Sequence, residues 1–200
     1  MRKKVMSVLA VMGLAAALAG CGSKSGDTAV TETTIELKKD GSVVHTIVET
    51  FTEDYYDEAR LQAAIQTACD SYNAGKDSGT VEVEEIARED GMMRVKMNYP
   101  DAASYAGFNQ SALFVGTVQE AHQAGYDLNV TLVSMQDGEE TIGKEEILGM
   151  GEKHIAIVRE AVDVRVWNKV LYASGDVLST GDARTVMVGD SEALTYLIFD

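Results

Sequence analysis

The chain has 200 residues and a formal net charge of −15 at pH 7, from 17 basic and 32 acidic side chains. An acidic surface repels nucleic-acid phosphates and anionic lipid head groups, so the composition argues against nucleic-acid binding and against membrane attachment through basic patches. Two cysteines are too few for a disulfide-rich scaffold, which leaves a domain held together by its hydrophobic core.

The first 20 residues have the layout of an export signal. Three cations follow Met1, and Val5 to Leu18 then form a stretch of 14 residues without charge. A helix needs about 20 apolar residues to span the hydrocarbon core of a bilayer. The shorter stretch therefore predicts a signal peptide over residues 1–20 rather than a permanent transmembrane helix.

The apolar stretch ends in Leu18-Ala19-Gly20-Cys21 and is followed by Gly22-Ser23. At this distance from a basic start, the motif resembles the lipobox of bacterial lipoproteins. The resemblance implies cleavage before Cys21, transfer of a diacylglycerol to its thiol and acylation of the new N-terminus by fatty acids such as palmitate. The alternative is an ordinary signal peptide with an unmodified cysteine. Two or three acyl chains would anchor the protein durably, because each buried methylene contributes about 0.8 kcal/mol.

Cys21 and the residues up to 32 are predicted to form a lipidated, flexible Gly/Ser-type linker with a reach of roughly 20 Å. Removal of residues 1–20 would take away three basic residues, leaving 14 basic and 32 acidic ones and a formal charge of −18. Residues 33–200 then predict a single extracytoplasmic domain, with a seam between two halves near 134–153.

The first half of this domain predicts two β-hairpins. Asp40-Gly41 separates two strand-like runs within residues 33–51, and Asp90-Gly91 does the same within residues 80–99. An aspartate-glycine pair between such runs is a strong hairpin signal, because it favours the tight turn.

A helix is predicted between the hairpins, over residues 54–73, with Gly75 as its stop. Cys69 lies four residues after Ile65 and shares its apolar side, which predicts a core residue rather than a reactive thiol. Strand, strand, helix, strand, strand is the order of an α+β fold. We expect an antiparallel sheet of hairpins with one main helix packed on a face. The apolar stripe of the helix consists of Leu61, Ile65, Ala68 and Tyr72.

The second half is predicted to be rich in β-strands. Two short helices come first: one runs from an N-cap at Asp101 to about Phe108, and one starts at the capping box of Thr117 and Glu120 and ends at Gly125. Glycine-aspartate turn signals separate several of the strand-like runs that follow. Residues 137–154 are predicted as a loop with at most one helical turn. The runs are 130–133, 155–158, 162–166, 170–172, 185–188 and 194–199.

None of the motifs sought for catalysis or metal binding is present. His45, His122 and His154 are far apart and have no metal-ligand spacing. Gly149-Met150-Gly151 lacks the third glycine and the flanking elements of a dinucleotide-binding loop. The acidic residues are too numerous for any pair to indicate acid–base chemistry. We therefore predict no metal and no cofactor.

Three aromatic residues are the candidate ligand contacts. Trp167 lies at a predicted strand end, where it is either a stacking platform for a sugar or peptide or, as we favour, a residue at the edge of the core. Tyr55 and Tyr56 lie at the predicted start of the helix and have the same two interpretations. At most one of them can fully share the buried side of that helix.

The whole chain resembles the small, uncharacterised lipoproteins of Gram-positive anaerobes, through its export signal, its lipobox and its general domain style. The resemblance implies attachment through Cys21 at the extracytoplasmic face of the cell membrane, and it implies no activity. We expect a non-catalytic module that binds an envelope protein, peptide or glycan. Two alternatives are an envelope hydrolase that uses carboxylates and a transporter's solute-binding component, for which 168 residues are short.

Overall fold

The computed structural model describes residues 31–76, 80–189 and 193–200. The predicted signal peptide, Cys21 and most of the predicted linker lie outside these residues. The described chain is a mixed α/β fold with two sheets and four helices, in which strands predominate. The mixed composition agrees with the α+β expectation, but the prediction of a single main helix is not confirmed.

The four helices are interspersed among the first eight strands of the described chain, and the last six strands follow one another without a helix. The strands are β1 (Thr34–Leu37), β2 (Val43–Thr50), β3 (Glu82–Glu89), β4 (Met92–Tyr99), β5 (Leu113–Thr117), β6 (Leu132–Ser134), β7 (Thr141–Ile142), β8 (His154–Val158), β9 (Asp163–Arg165), β10 (Val170–Ser174), β11 (Val177–Ser179), β12 (Thr185–Val188) and β13 (Thr195–Phe199). The helices are α1 (Glu58–Asn73), α2 (Ala102–Asn109), α3 (Val118–Gln123) and α4 (Lys144–Gly149).

The first sheet has seven strands in the order β11-β12-β9-β1-β2-β4-β3. Both predicted hairpins, β1–β2 and β3–β4, lie in this sheet as antiparallel pairs and are confirmed. In the second turn, Asp90 and Gly91 have φ values of 51° and 78°. Two successive positive φ values match the right-handed twist of the flanking strands, which explains why an aspartate-glycine pair is found here.

β1 is an interior strand of the first sheet although it comes first in the chain. It pairs with β2 in antiparallel orientation and with β9 in parallel orientation. Thr33 extends this pairing: its hydroxyl donates to the Val48 carbonyl at 3.3 Å and accepts from the Val48 N–H at 3.1 Å. Its carbonyl oxygen accepts a hydrogen bond from the Asp163 N–H at 3.2 Å. The described chain thus enters the fold in the middle of a sheet.

α1 begins at Glu58, four residues after the predicted start. The side chain of Asp57 accepts a hydrogen bond from the Arg60 N–H at 3.0 Å, which makes Asp57 the N-cap and fixes the helix start. Tyr55 and Tyr56 therefore lie in the loop before the helix rather than in its first turn.

The buried side of α1 packs against the first sheet. Ile65 and Cys69 are both buried and belong to the same core cluster as the strands of that sheet. The prediction that Cys69 is a core residue is confirmed. Burial and the nearby carboxylate of Asp70 raise the pKa of its thiol, which keeps the thiol protonated and unreactive at neutral pH.

The second sheet has six strands in the order β5-β8-β13-β10-β6-β7. One of its faces packs on the first sheet, since Val158 and Phe199 share a core cluster with Ile35 and Met97. Its other face is covered by α3 and α4, which contribute Val118, Ala121 and Ile147 to a second core cluster.

The β-rich second half is confirmed, but its strands divide between the two sheets. β9, β11 and β12 join the first sheet beside β1, whereas β8, β10 and β13 build the second. The two short helices α2 and α3 are confirmed, with Asp101 and Thr117 as their N-caps. Sequence analysis missed β5 and β11, and the predicted loop over 137–154 contains β7, α4 and the first residue of β8.

Candidate functional site

Tyr55 and Tyr56 are the only aromatic side chains of the described chain that are classed as exposed. Their accessible fractions are 76% and 36%, while the other tyrosines, the phenylalanines and Trp167 are partly or fully buried. The two ring centroids are 4.8 Å apart, with an angle of 72° between the ring planes. The pair therefore forms a corner of two aromatic rings on the protein surface.

Phe51 packs against this corner from the protein interior. It is buried, and its ring stacks on that of Tyr56 with centroids 4.7 Å apart and an interplanar angle of 25°. The guanidinium of Arg88 lies 5.3 Å from the centroid of the Phe51 ring. We call Phe51, Tyr55 and Tyr56 the tyrosine cluster. One ring of the cluster belongs to the core, and two reach into solvent.

Backbone hydrogen bonds fix the loop that holds the tyrosine cluster. The Phe51 N–H donates to the Gly91 carbonyl at 2.7 Å, and the Tyr56 N–H donates to the Glu53 carbonyl at 3.1 Å. Gly91 also permits the close approach: a Cβ there would lie 2.9 Å from Thr52 Cγ2, and its φ of 78° is unfavourable for other residues. The hairpin turn and the N-cap of α1 thus hold the loop at both ends.

Carboxylates flank the two exposed tyrosines in the sequence. Glu53, Asp54, Asp57 and Glu58 lie within six residues of sequence and all are exposed. Arg60 pairs with Asp57 at 3.4 Å, and no ion pair within the described ranges involves the other three. The Tyr56 hydroxyl and the charge of Glu53 raise the pKa of Tyr55, so its phenol is neutral at pH 7. The surface here is aromatic and negatively charged.

Trp167 lies in a second group of rings. Its ring packs edge-on against Phe199, with centroids 4.7 Å apart, and against His154, at 4.9 Å. Trp167 follows β9 of the first sheet, and its two neighbours belong to the second, so this tryptophan cluster lies where the sheets meet. Trp167 is partly buried there, as the interpretation at the edge of the core expects. Its role in ligand binding stays a prediction.

The three histidines are distributed over different environments. His45 belongs to β2, is buried, and has its ring centroid 5.4 Å from that of Tyr105, and neither of its ring nitrogens has a hydrogen-bond partner among the described residues. Burial lowers the pKa of His45 to about 4, so the ring is neutral at pH 7. His122 is exposed on α3. Across the described ranges, no three histidine, cysteine or acidic side chains form a group suited to a metal ion.

Among the described residues, two carboxyl groups have a raised pKa, and burial is the main cause in both. They are Glu49 in β2 and Asp163 in β9. Glu49 lies in register with buried Met93, whereas Asp163 pairs with Thr34 on the opposite, outer side of the first sheet. Because the two groups lie on opposite faces, they do not form the converging acid–base pair that a hydrolase of this kind needs.

Two depressions on the described surface can be compared with the tyrosine cluster. One, of about 320 Å³, lies between α1 and β3 and reaches Gln66, Cys69 and Asn73. The other, of about 210 Å³, lies between the two sheets near Ser134, Ser174 and Val177. Neither depression is lined by a pair of side chains that could act as a general acid and a general base. The exposed rings of the tyrosine cluster, in contrast, are directly available to a ligand.

Sequence reasoning singled out Tyr55 and Tyr56 but missed their support by Phe51 and Arg88. The signal that could have identified it is the predicted hairpin 80–99. Its turn at Asp90-Gly91 returns the chain beside the end of β2, and Arg88 comes two residues before that turn.

Comparison with known proteins found no matching family model, no matching curated protein and no matching solved structure. Within the described residues, none of the helices has the length and apolar character required to cross a membrane.

Proposed function

We propose that this chain is a lipoprotein, anchored by acyl chains on Cys21 at the extracytoplasmic face of the cell membrane. We further propose that its folded domain is a non-catalytic module that binds a protein, peptide or glycan of the envelope. The anchor is supported by the basic start, the uncharged stretch and the lipobox-like Leu18-Ala19-Gly20-Cys21. The binding role is supported above all by the exposed tyrosine cluster.

An exposed aromatic pair on a fixed loop is suited to binding. Tyrosine offers a large apolar ring and a polar hydroxyl with few rotatable bonds, so little conformational entropy is lost when it is covered. The hydrogen bonds of Phe51 and Tyr56 hold the loop before any ligand arrives. Such preorganisation lowers the cost of association. The two rings are thus a prepared contact surface rather than a remnant of incomplete packing.

The anchor and the charge act together in this proposal. A linker of eleven residues between Cys21 and Thr33 would keep the domain within roughly 20 Å of the bilayer. The formal charge of −18 after processing would at the same time repel anionic head groups, because the chain then has 14 basic and 32 acidic residues. The domain would therefore remain near the membrane without lying on it, with its surface accessible to partners.

The anchor is tested by replacing its proposed attachment point. Cys21→Ser is expected to abolish incorporation of a palmitate analogue and to move the full-length chain from the membrane fraction to the soluble extracytoplasmic fraction. Cys69→Ala is the matched control, because it removes the other cysteine and should leave both lipid labelling and membrane retention unchanged. Continued membrane retention of Cys21→Ser would contradict the anchor.

The binding role is tested by partner capture on intact cells with a membrane-impermeant cross-linker. We expect the anchored protein to capture a defined envelope component, and Tyr55→Ala combined with Tyr56→Ala to abolish that capture. Leu178→Ala is the control, because Leu178 is 61% exposed on a different strand, β11. Equal capture by the double variant would exclude the tyrosine cluster as the binding surface.

A further inference from the structure

We infer that the corner between Tyr55 and Tyr56 binds the cationic side chain of a lysine or arginine in a basic peptide segment of its partner. This inference rests on the proposed binding function and adds the chemical class of the ligand. It follows from two features found in the same loop, namely an exposed tyrosine ring packed beside a second ring and a set of carboxylates without an ion-pair partner among the described residues.

The ring geometry suits a cation. The two rings meet edge to face, at 72° with centroids 4.8 Å apart, and Tyr55 is 76% exposed, so at least one face of the Tyr55 ring is open to solvent. One side of the Tyr56 ring is occupied by Phe51 and Tyr55 lies against the same ring, so the face that remains for a ligand is that of the exposed Tyr55. Lysine and arginine cations are attracted to such faces by the ring quadrupole when they lie within about 6 Å of the centroid.

The chain already uses this interaction next to the corner. The Arg88 guanidinium lies 5.3 Å from the Phe51 ring centroid, and Phe51 stacks on Tyr56. Elsewhere, the Lys76 ammonium lies 3.5 Å from the centroid of Tyr72. A ligand cation on the outer side of the cluster would repeat the contact that Arg88 makes with Phe51.

Charge decides which ligand fits the corner. Glu53, Asp54 and Glu58 have no ion-pair partner among the described residues, and Glu53 lies close enough to Tyr55 to affect its ionisation. These carboxylates would repel phosphorylated or sulfated ligands and attract an ammonium or guanidinium group. The aromatic rings provide the contact area, and the carboxylates favour a positively charged ligand. A basic peptide meets both requirements.

The test measures peptide binding to the full-length chain in a non-ionic detergent. Hexalysine, hexaglutamate and a neutral N-acetylglucosamine tetrasaccharide are the three probes, and the ring signals of Tyr55 and Tyr56 in NMR spectra report the site. We expect hexalysine to shift both ring signals and hexaglutamate to shift neither. Binding should weaken as salt is added, because the exposed carboxylates are screened.

Three variants separate the ring contribution from general attraction by an acidic protein. Tyr55→Leu keeps an apolar side chain but removes the π face, and it should weaken hexalysine binding roughly five-fold, whereas Tyr55→Phe should retain it. Glu53→Gln should weaken binding more than Glu152→Gln, which removes the same charge from an exposed position outside the loop.

The outcomes distinguish this inference from the function on which it rests. If hexalysine binds Tyr55→Leu as well as wild type, or if only the tetrasaccharide shifts the ring signals, the cationic ligand is excluded and the binding module remains. If no probe shifts the signals, the cationic ligand is excluded as well. The binding module itself fails only if, in addition, no envelope component is captured in a tyrosine-dependent way.

Discussion

Two clusters of three rings in the described part of the chain, the tyrosine and the tryptophan cluster, are built alike and placed differently. In the tyrosine cluster, one ring is buried and two extend from a loop beyond the end of β2. In the tryptophan cluster of His154, Trp167 and Phe199, all three rings are partly or fully covered where the two sheets meet. Ring contacts of similar length thus support the core in one place and form a surface in the other. The position relative to the sheets, and not the residue type, decides which.

The largest difference between the clusters should be in stability, at Phe199. This ring is fully buried, so Phe199→Ala is expected to lower the free energy of unfolding by about 3–5 kcal/mol. Chemical denaturation of the full-length chain monitored by circular dichroism measures the change. A loss below about 1 kcal/mol would mean that the tryptophan cluster is not part of the cooperative core.

The interior also differs from the surface in its response to acid. His45 has a pKa of about 4 in the folded protein because burial disfavours its charged form, against 6.5 in the unfolded chain. The unfolded chain therefore takes up the proton first, and stability falls as the pH is lowered from 6.5 towards 4. The contribution lost is about 3 kcal/mol, at about 1.4 kcal/mol per unit of pKa difference.

Unfolding free energies measured between pH 7 and pH 4 test this contribution. His45→Leu should lose less stability than wild type over this range, because the carboxyl groups titrate in both proteins and only the histidine differs. Parallel curves for the two proteins would show that His45 is accessible to protons in the folded state.

A smaller effect is expected at the junction between the tyrosine cluster and α1. Asp57→Ala removes the side chain that accepts the Arg60 N–H and should lower the free energy of unfolding by about 1 kcal/mol. Asp57→Asn keeps the cap and should remain close to wild type. Thermal unfolding compares the three proteins, and equal losses in both variants would point to the charge rather than the cap.

The smallest effect is expected at the most exposed ring. Tyr55 is 76% accessible, so Tyr55→Ala should change the free energy of unfolding by no more than about 0.5 kcal/mol. The same denaturation experiment used for Phe199→Ala measures it. A loss as large as that of the buried ring would mean that Tyr55 is covered in solution, and the two clusters would then not differ.

Local signals predicted the elements that depend on local chemistry. The turns at Asp40-Gly41 and Asp90-Gly91, and the N-caps at Asp101 and Thr117, all lie where the sequence analysis placed them. Each depends on a few neighbouring residues whose conformational preference is strong. The helix start was displaced because Asp57, rather than an earlier acidic residue, accepts the capping hydrogen bond.

Pairing between strands that are distant in the sequence could not be predicted from local signals. The parallel pairing of Ile35 with Val164 joins residues that are far apart in the chain, and no local pattern indicates it. β7 and β11 have two and three residues, too few to show alternation. At the candidate site, the sequence identified Tyr55 and Tyr56 but left their exposure ambiguous, because exposure depends on where α1 begins.

The interior position of β1 has a mechanical consequence. If the protein is anchored through Cys21, tension on the tether is transmitted to Thr33 and β1. This strand is bonded on one side to β2 and on the other to β9, so its extraction requires both ladders to slide and break together. An edge strand would have only one such ladder to break. Because forced unfolding is governed by the unfolding rate, an attachment that must break two ladders would slow unfolding when the tether is pulled.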